Sequence, residues 1–331
     1  MKISIIGSGS WGTALANVAA DNSHDTLIYG RDEDIVNEIN INHTNNYYLP
    51  NAILNKKVIA TSSLKKAIND RDIIVLAVPS AAIEDVCKSI TPLLNKKSII
   101  VNVAKGFNSN NEKLSNTIRN IIPLEKRQEI VSLLGPSHAE EVIQRLYTAI
   151  SSVSIDEKVA KIVQKAFSNE YLRVYTLHDE IGAEYACACK NVIAIASGII
   201  SGLGFGDNTL AALITRGLAE ISRLGIIMGG EMETYLGLTG VGDLVVTCTS
   251  IHSRNFQAGL KIGKDDGVED FFKNNKATVE GIRSCKVVHQ LAKEKGVEMP
   301  ITNAIYKVLY ENKKPSNIIK DLMKRDLKSE R

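Results

Sequence analysis

Lys190 has the residue type and surroundings that most plainly call for chemistry in this chain. It lies in Ile181–Ile200, with Ala-Cys-Ala-Cys directly before it and Val-Ile-Ala-Ile-Ala beyond Asn191, its one polar neighbour. Lysine is seldom fully buried without a partner. Desolvation disfavours the ammonium and moves its pKa toward neutrality, where a lysine can take or give a proton. The bland alternative is an interfacial lysine whose head reaches water along its apolar stem. Two polar islands follow, Gly240-Val241-Gly242-Asp243 and Ser253-Arg254-Asn255. Arg254, between a hydroxyl and an amide at an apparent helix start, forms a compact anion-binding set: the guanidinium grips a phosphate with two bonds and the helix N–H groups assist. Asp243 suits accepting from substrate hydroxyls or orienting Lys190, whereas as plain helix caps Asp243 and Ser253 would be structural.

A second group of residues clusters near the start. Gly7, Gly9 and Gly12 fit G-x-G-x-x-G, whose glycines allow a tight turn, close approach of the backbone to a pyrophosphate, and close packing of helix on strand. Such turns also arise for structural reasons; here a β-branched run, Ile3 to Ile6, precedes the motif and helical spacing at Trp11, Leu15 and Val18 follows it. The acidic residue that binds ribose hydroxyls after the second strand is missing, since Tyr29 is followed by Gly30 and Arg31, with Asp32 slightly late. Arg31 either meets a 2′-phosphate, which makes NADP acceptable, or is a surface arginine opening a helix. Lys105, in Val103-Ala104-Lys105-Gly106, either points a cation at the reaction region or is solvated. In Gly135-Pro136-Ser137-His138-Ala139-Glu140-Glu141, Ser137 and Glu140 have capping-box spacing. His138 tempts as a base, yet spacing assigns it no carboxylate partner.

These residues need a frame that brings them together. Strand-like runs at Thr26–Tyr29, Asp72–Val78, Ser98–Val103 and Ile130–Leu134 alternate with helical patterns at Asp32–Asn40, Ala81–Ile90 and Asn111–Asn120, and Thr148–Val153, Glu157–Phe167 and Leu172–Tyr175 continue the alternation. That pattern specifies an α/β fold with a doubly wound, Rossmann-like sheet and ligands at the carboxyl ends of its strands. From Glu180 the pattern is helical, broken at Gly202–Gly206, Gly229-Gly230 and Gly237–Gly242. The expectation is a dinucleotide-binding domain over 1–178 and an all-helical substrate-binding and catalytic domain over 179–331.

The 331 residues suit two domains. A net charge of +3, from 40 basic and 37 acidic residues, is too balanced for general nucleic-acid binding. The 5 cysteines form no C-x-x-C pair and read as reduced thiols in a cytoplasm. No signal peptide, membrane-spanning stretch or metal-ligand cluster is expected. The basic tail Lys313–Arg331 reads as a solvated helix, and Lys264–Lys276 matches no motif.

The motifs taken together resemble the bacterial-type NAD(P)-dependent glycerol-3-phosphate dehydrogenases. The matching stretches run in order across nearly the whole chain: Gly-Ser-Gly-Ser-Trp-Gly-Thr-Ala-Leu-Ala at 7–16, Ala-Lys-Gly at 104–106, Gly-Pro-Ser-His-Ala-Glu-Glu-Val at 135–142 and Ala-Cys-Lys-Asn-Val at 188–192, then Gly-Asp-Asn at 206–208, Ala-Leu-Ile-Thr-Arg-Gly-Leu-Ala-Glu at 212–220, Gly-Asp-Leu-Val-Val-Thr-Cys-Thr-Ser at 242–250, His-Ser-Arg-Asn at 252–255 and Val-Glu-Gly at 279–281. The resemblance implies reversible reduction of dihydroxyacetone phosphate to sn-glycerol 3-phosphate for phospholipid synthesis, with NADP or NAD as cofactor and no metal. It implies Lys190 as the proton donor and acceptor. Lys105, Gly135, Ser137, Asp243, Ser253, Arg254 and Asn255 would join Lys190 around the substrate. Gly7, Gly9, Ser10, Trp11, Gly12, Arg31, Tyr48, Lys105, Ala139, Arg254 and Glu280 would hold the cofactor. A homodimer is implied by the family and by no particular residue. The competing readings are a β-hydroxyacid-type dehydrogenase, which needs no phosphate-binding Arg254, and a dinucleotide sensor, which needs no proton donor at Lys190.

Overall fold

The computed structural model describes residues 1–108, 110–275, 279–327 and 329. Two compact units divide the chain, Met1–Glu184 and Tyr185–Arg331, with the boundary inside the helix Glu180–Gly202.

The first unit carries ten strands: β1 (Lys2–Ile6), β2 (Asp25–Tyr29), β3 (Thr44–Asn45), β4 (Leu49–Ile53), β5 (Val58–Thr61), β6 (Ile73–Leu76), β7 (Ser98–Asn102), β8 (Arg127–Leu134), β9 (Thr148–Val153) and β10 (Leu172–Leu177). Eight of them form one sheet in the order β10-β9-β8-β7-β6-β1-β2-β5. Pairing is parallel throughout except between β8 and β9, where the chain turns back through the one-turn helix Ala139–Val142 and Leu134 pairs with Ser151. The expected alternation is therefore interrupted by one antiparallel pair. The continuous apolar run of β6 is explained by its two faces. Ile73 and Val75 enter the core under the helices Ser10–Asp21 and Glu157–Phe167, and Ile74 and Leu76 enter the core under Ile83–Ile90 and Leu114–Ile121. A strand buried on both sides has no polar face to show.

The chain runs outward from β1 to β2 and β5, then returns to β6 on the other side of β1. That reversal is the switch point at which an open α/β sheet leaves a crevice at the carboxyl ends of its strands. At the far end of the helix Ser10–Asp21, the Asp21 carboxylate accepts from Arg145 Nε at 3.0 Å, Asn55 Nδ2 at 2.8 Å and Tyr171 Oη at 2.7 Å, which fixes that helix against three other segments.

The second unit is helical: Asp207–Ile227, Met232–Tyr235, a π-helical turn over Leu238–Gly242, then Asp243–Thr249, Arg254–Lys264, Glu269–Asn274, Glu280–Lys295, Pro300–Glu311 and Pro315–Met323. One helix, Glu180–Gly202, is long and apolar enough to cross a membrane by length and composition, but 89% of its apolar window is buried within the protein, as in a core helix. It packs backbone against backbone on Arg254–Lys264. A Cβ added to Gly198 would lie 2.0 Å from the Phe256 carbonyl oxygen, and one added to Gly259 would lie 2.0 Å from that of Ile195. Gly202 and Gly263 repeat the arrangement one turn on, at 2.5 Å from Leu260 O and 2.4 Å from Ile199 O.

Two buried carboxylates cap helices that lack a capping side chain of their own. Glu184 accepts from the Ser115 amide at 3.0 Å and its hydroxyl at 2.7 Å, at the start of Leu114–Ile121. Glu220 accepts from the Ile301 and Thr302 amides at 2.6 and 3.1 Å, at the start of Pro300–Glu311, whose first residue is a proline with no N–H to satisfy. The tail helix Pro315–Met323 is partly exposed and buries Pro315 and Ile318, and the helix Glu269–Asn274 buries Phe271. Of the two unassigned stretches, Lys276, Lys328, Glu330 and Arg331 lie outside the described residues.

Candidate active site

The glycine turn joins β1 to the helix Ser10–Asp21. Gly7 has φ +122°, and a Cβ there would lie 2.3 Å from the carbonyl oxygen of Ala77, just past β6. Gly12 is equally closed, with Gly7 O at 2.0 Å from a notional Cβ. Gly9, between them, has nothing within 4 Å. It is the N-cap and brings no side-chain bond, so the first-turn N–H groups face open space. Closed outer glycines with an open middle one make a cradle that fits a pyrophosphate.

Around that turn, Asn45 Nδ2 donates to Ser8 O at 2.9 Å and to Thr13 Oγ1 at 2.8 Å, and Ser10 Oγ donates to Tyr48 O at 3.1 Å. Tyr48 is thus tied to the turn through its backbone, with its ring exposed. Trp11 is half-buried against the core. Asp32 is used as the N-cap of the helix Glu33–Asn42, accepting from Asp34 N at 3.0 Å and Ile35 N at 3.4 Å. Arg31 beside it is exposed, with no hydrogen bond or ion pair to the described residues.

Further along the same carboxyl edge, Lys105 follows β7 and Gly135 follows β8. Lys105 Nζ donates to Gly135 O at 3.0 Å, and Ser137 Oγ donates to the same oxygen at 3.0 Å. Ser137 is not a helix cap: His138 holds the N-cap position before Ala139–Val142, and no capping box forms with Glu140. Its hydroxyl instead bends back across Pro136. Ala139 is buried at the first turn of that helix.

The second unit gathers the remaining candidates. Lys190 is 3% exposed and Asp243 1%. Lys190 Nζ lies 2.5 Å from Asp243 Oδ1 and donates to Thr247 Oγ1 at 2.8 Å, and Thr247 Oγ1 donates to Asp243 O at 2.5 Å. Asp243 is the first residue of the helix Asp243–Thr249, and its second carboxylate oxygen, Oδ2, lies 3.5 Å from the Cys187 sulfur. Burial opposes the ammonium charge and the carboxylate favours it. The nearby thiols are neutral, since burial pushes Cys189 and Cys248 each up to about 12.

Asn191 Oδ1 accepts from Asn255 Nδ2 at 3.0 Å, and Asn255 Oδ1 accepts from the Gly281 amide at 2.9 Å, next to Glu280. Asn191 Nδ2 is buried with no partner among the described residues, a donor left for a ligand oxygen. Ser253 caps Arg254–Lys264 through a bond from Phe256 N at 3.2 Å, and Arg254 at the helix start is exposed, its guanidinium unbonded within the described residues. Sequence reasoning missed Thr247 and Cys187; the spacing of Asp243 and Thr247, one helical turn, was the available sign. Among the described residues no three His, Cys, Asp or Glu side chains gather in a metal-binding group.

Residues 2–160 match the family model described as the NAD-dependent glycerol-3-phosphate dehydrogenase N-terminus, and residues 179–320 match the one described as its C-terminus. A glycerol-3-phosphate dehydrogenase (NAD(P)+) of Staphylococcus aureus is 50% identical over 330 residues, covering 99% of either chain. Among solved structures, a glycerol-3-phosphate dehydrogenase of Coxiella burnetii aligns at a TM-score of 0.90 and 36% identity over 98% of both chains. One of Plasmodium falciparum aligns at 0.87 and 26% identity over 99% of this chain and 97% of that one.

Proposed function

The chain belongs to the NAD-dependent glycerol-3-phosphate dehydrogenase family, and on that premise we propose that it reversibly reduces dihydroxyacetone phosphate to sn-glycerol 3-phosphate with NADPH or NADH, feeding glycerophospholipid synthesis. The observation that carries the reading is the buried Lys190 ammonium held 2.5 Å from Asp243, in the same unit as an exposed Arg254.

The nicotinamide supplies the hydride when bound. Reduction of a ketone leaves negative charge on oxygen, and the Lys190 ammonium both stabilises that charge and delivers the proton. Asp243 keeps Lys190 charged until then, and in the oxidative direction the same amine takes the alcohol proton. Arg254, with the N-terminal amides of its helix, binds the remote phosphate, and that binding energy orients the carbonyl. Ser253 and Asn255 shape the helix start, and Asn191 Nδ2 is a donor for a substrate oxygen. In the dinucleotide-binding domain, 1–178, Gly7, Gly9 and Gly12 take the pyrophosphate with Ser10 and Trp11, and Tyr48 and Ala139 line the same edge. Lys105, Gly135 and Ser137 form one linked group for the reacting end. The family resemblance adds Glu280, in the substrate-binding domain, 179–331, to the residues that would hold the cofactor.

With Asp32 committed to its helix, Arg31 is the group available to a 2′-phosphate, which supports use of NADPH. Cytoplasmic location accords with the five buried, free thiols; a homodimer is carried over from the family, and light scattering of the purified protein tests it.

The decisive assay follows NADPH and, separately, NADH absorbance when purified protein meets dihydroxyacetone phosphate. Rapid oxidation is expected. Protein that binds either cofactor but oxidises neither overturns the assignment, and turnover of non-phosphorylated hydroxy acids would favour a β-hydroxyacid dehydrogenase.

A further inference from the structure

The Lys190–Asp243 pair is held by a third group that the reaction itself does not need. Cys187 precedes Lys190 by one turn of the helix Glu180–Gly202, so the two side chains share a face. The Cys187 sulfur lies 3.5 Å from Asp243 Oδ2 and 3.9 Å from the Thr239 carbonyl oxygen, while Lys190 Nζ takes the other carboxylate oxygen, Oδ1, at 2.5 Å. One helix therefore grips both oxygens of a carboxylate presented by another. Cys187 and Asp243 are each 1% exposed, so both lie away from bulk solvent. A buried carboxylate oxygen is oriented only by the donors the protein places around it.

We propose that Cys187 is a positioning residue for the proton transfer: its S–H donates to Oδ2 of Asp243, fixes the carboxylate plane, and so keeps Oδ1 on the Lys190 ammonium. The proposal rests on the reading of Lys190 as acid and base. A thiol is a weak donor, but here its sulfur lies within hydrogen-bonding distance of Oδ2. The other titratable groups facing this cluster are Cys189 on the helix of Lys190, Cys248 on Asp243–Thr249, and Glu220 on Asp207–Ile227, whose charge acts on Cys189. Both of those thiols are neutral, and Asp243 is the carboxylate in direct contact with the Lys190 ammonium.

The test compares Cys187→Ala, Cys187→Val and Cys187→Ser with the parent enzyme. Losing the donor frees Asp243 to rotate, which weakens its hold on the ammonium. Ketone reduction needs that ammonium, so in the Ala and Val variants kcat is expected to fall about fivefold, with KM for dihydroxyacetone phosphate within roughly twofold. The alkaline limb of the kcat profile moves to lower pH by about half a unit. Ser, which restores a donor, returns kcat and the profile toward the parent. Val fills the space without donating and carries the test if the Ala cavity unfolds the helix. A parental kcat and pH profile in the Ala or Val enzyme overturns the proposal, as does Ser behaving like Val. Lys190→Ala separates the two levels: full turnover there overturns the role of Lys190 itself, whereas lost turnover there with a silent Cys187→Val removes only Cys187.

Discussion

In the proposed mechanism Lys190 is suited to its part because burial opposes its charge and Asp243 favours it, leaving a proton that is held yet transferable. Replacing it with Ala should reduce kcat by roughly 10²- to 10⁴-fold, the range of a lost general acid, while tryptophan-quenching titration shows NADPH still bound. Lys190→Arg keeps the charge but not a proton that can leave, so its kcat should fall in the same range. Arg254→Ala removes the proposed phosphate clamp, and KM for dihydroxyacetone phosphate should rise about 10- to 100-fold, as expected for lost bonds to a charged group. In Arg31→Ala the preference for NADPH over NADH should shrink about tenfold; equal affinities for both cofactors, unchanged by the substitution, would remove its role. Lys190, Arg254 and the glycines were legible in the sequence because each is conspicuous where it stands: a charge among apolar residues, a cation at a helix start, three glycines after a strand. Thr247 and Cys187 were not, because their roles depend on which faces of two helices meet.

At the scale of elements, the buried carboxylate caps make stability depend on pH. Burial, with the charge of Glu180, pushes Glu184 up to about 7 against the bonds from Ser115. Burial likewise pushes Glu220 up to about 7 against its amide bonds. Unfolded, each would release its proton near the ordinary value of 4.5, so between about 4.5 and 7 the folded state binds more protons and stability falls as pH rises. Above that window the loss is complete. Glu220→Gln cannot titrate, so thermal unfolding midpoints measured from pH 5 to 8 should fall less steeply in the variant than in the parent. The helix pair makes a second prediction. In Gly259→Ala the new methyl meets a backbone carbonyl that cannot swing aside, so the helices must part. Denaturant unfolding should show a loss of about 1–3 kcal/mol, and kcat should fall with it as the Asn191–Asn255 bond opens. Long periodic elements such as β6 and Glu180–Gly202 were readable from apolar runs alone. The hairpin of β3 and β4, the strand β5 and the helix Leu64–Ile68 were not, since short or half-exposed segments carry too few apolar positions to show a period. The β8–β9 reversal left no sign either, because pairing direction is set by the connection and not by the strand's residues.

Over the whole molecule, charge is nearly balanced at +3, so recognition of anions falls to a few placed groups and not to a general field. Ligand binding should therefore be felt as stability: NADPH at a hundred times its Kd should stabilise the fold by about 2.7 kcal/mol, seen as a raised unfolding midpoint in scanning fluorimetry and lost when Gly9 is replaced by a bulky residue such as Val. The division into a sheet-bearing unit and a helical one follows from the change in periodicity near residue 180. The backbone-on-backbone contact of the two glycine-bearing helices bears on what mutation can reach. In most pockets, substrate length drifts as one side chain is exchanged for a shorter or longer one. Between Gly198, Gly202, Gly259 and Gly263 there is no side chain to exchange, and over this stretch main chain sets the spacing of the helix that carries Lys190 and the helix that begins at Arg254. The interval from the proposed proton donor to the proposed phosphate clamp is thus a ruler that point substitution can break but not regraduate, and a descendant of this protein acting on a longer phosphate would have to move a helix to do so.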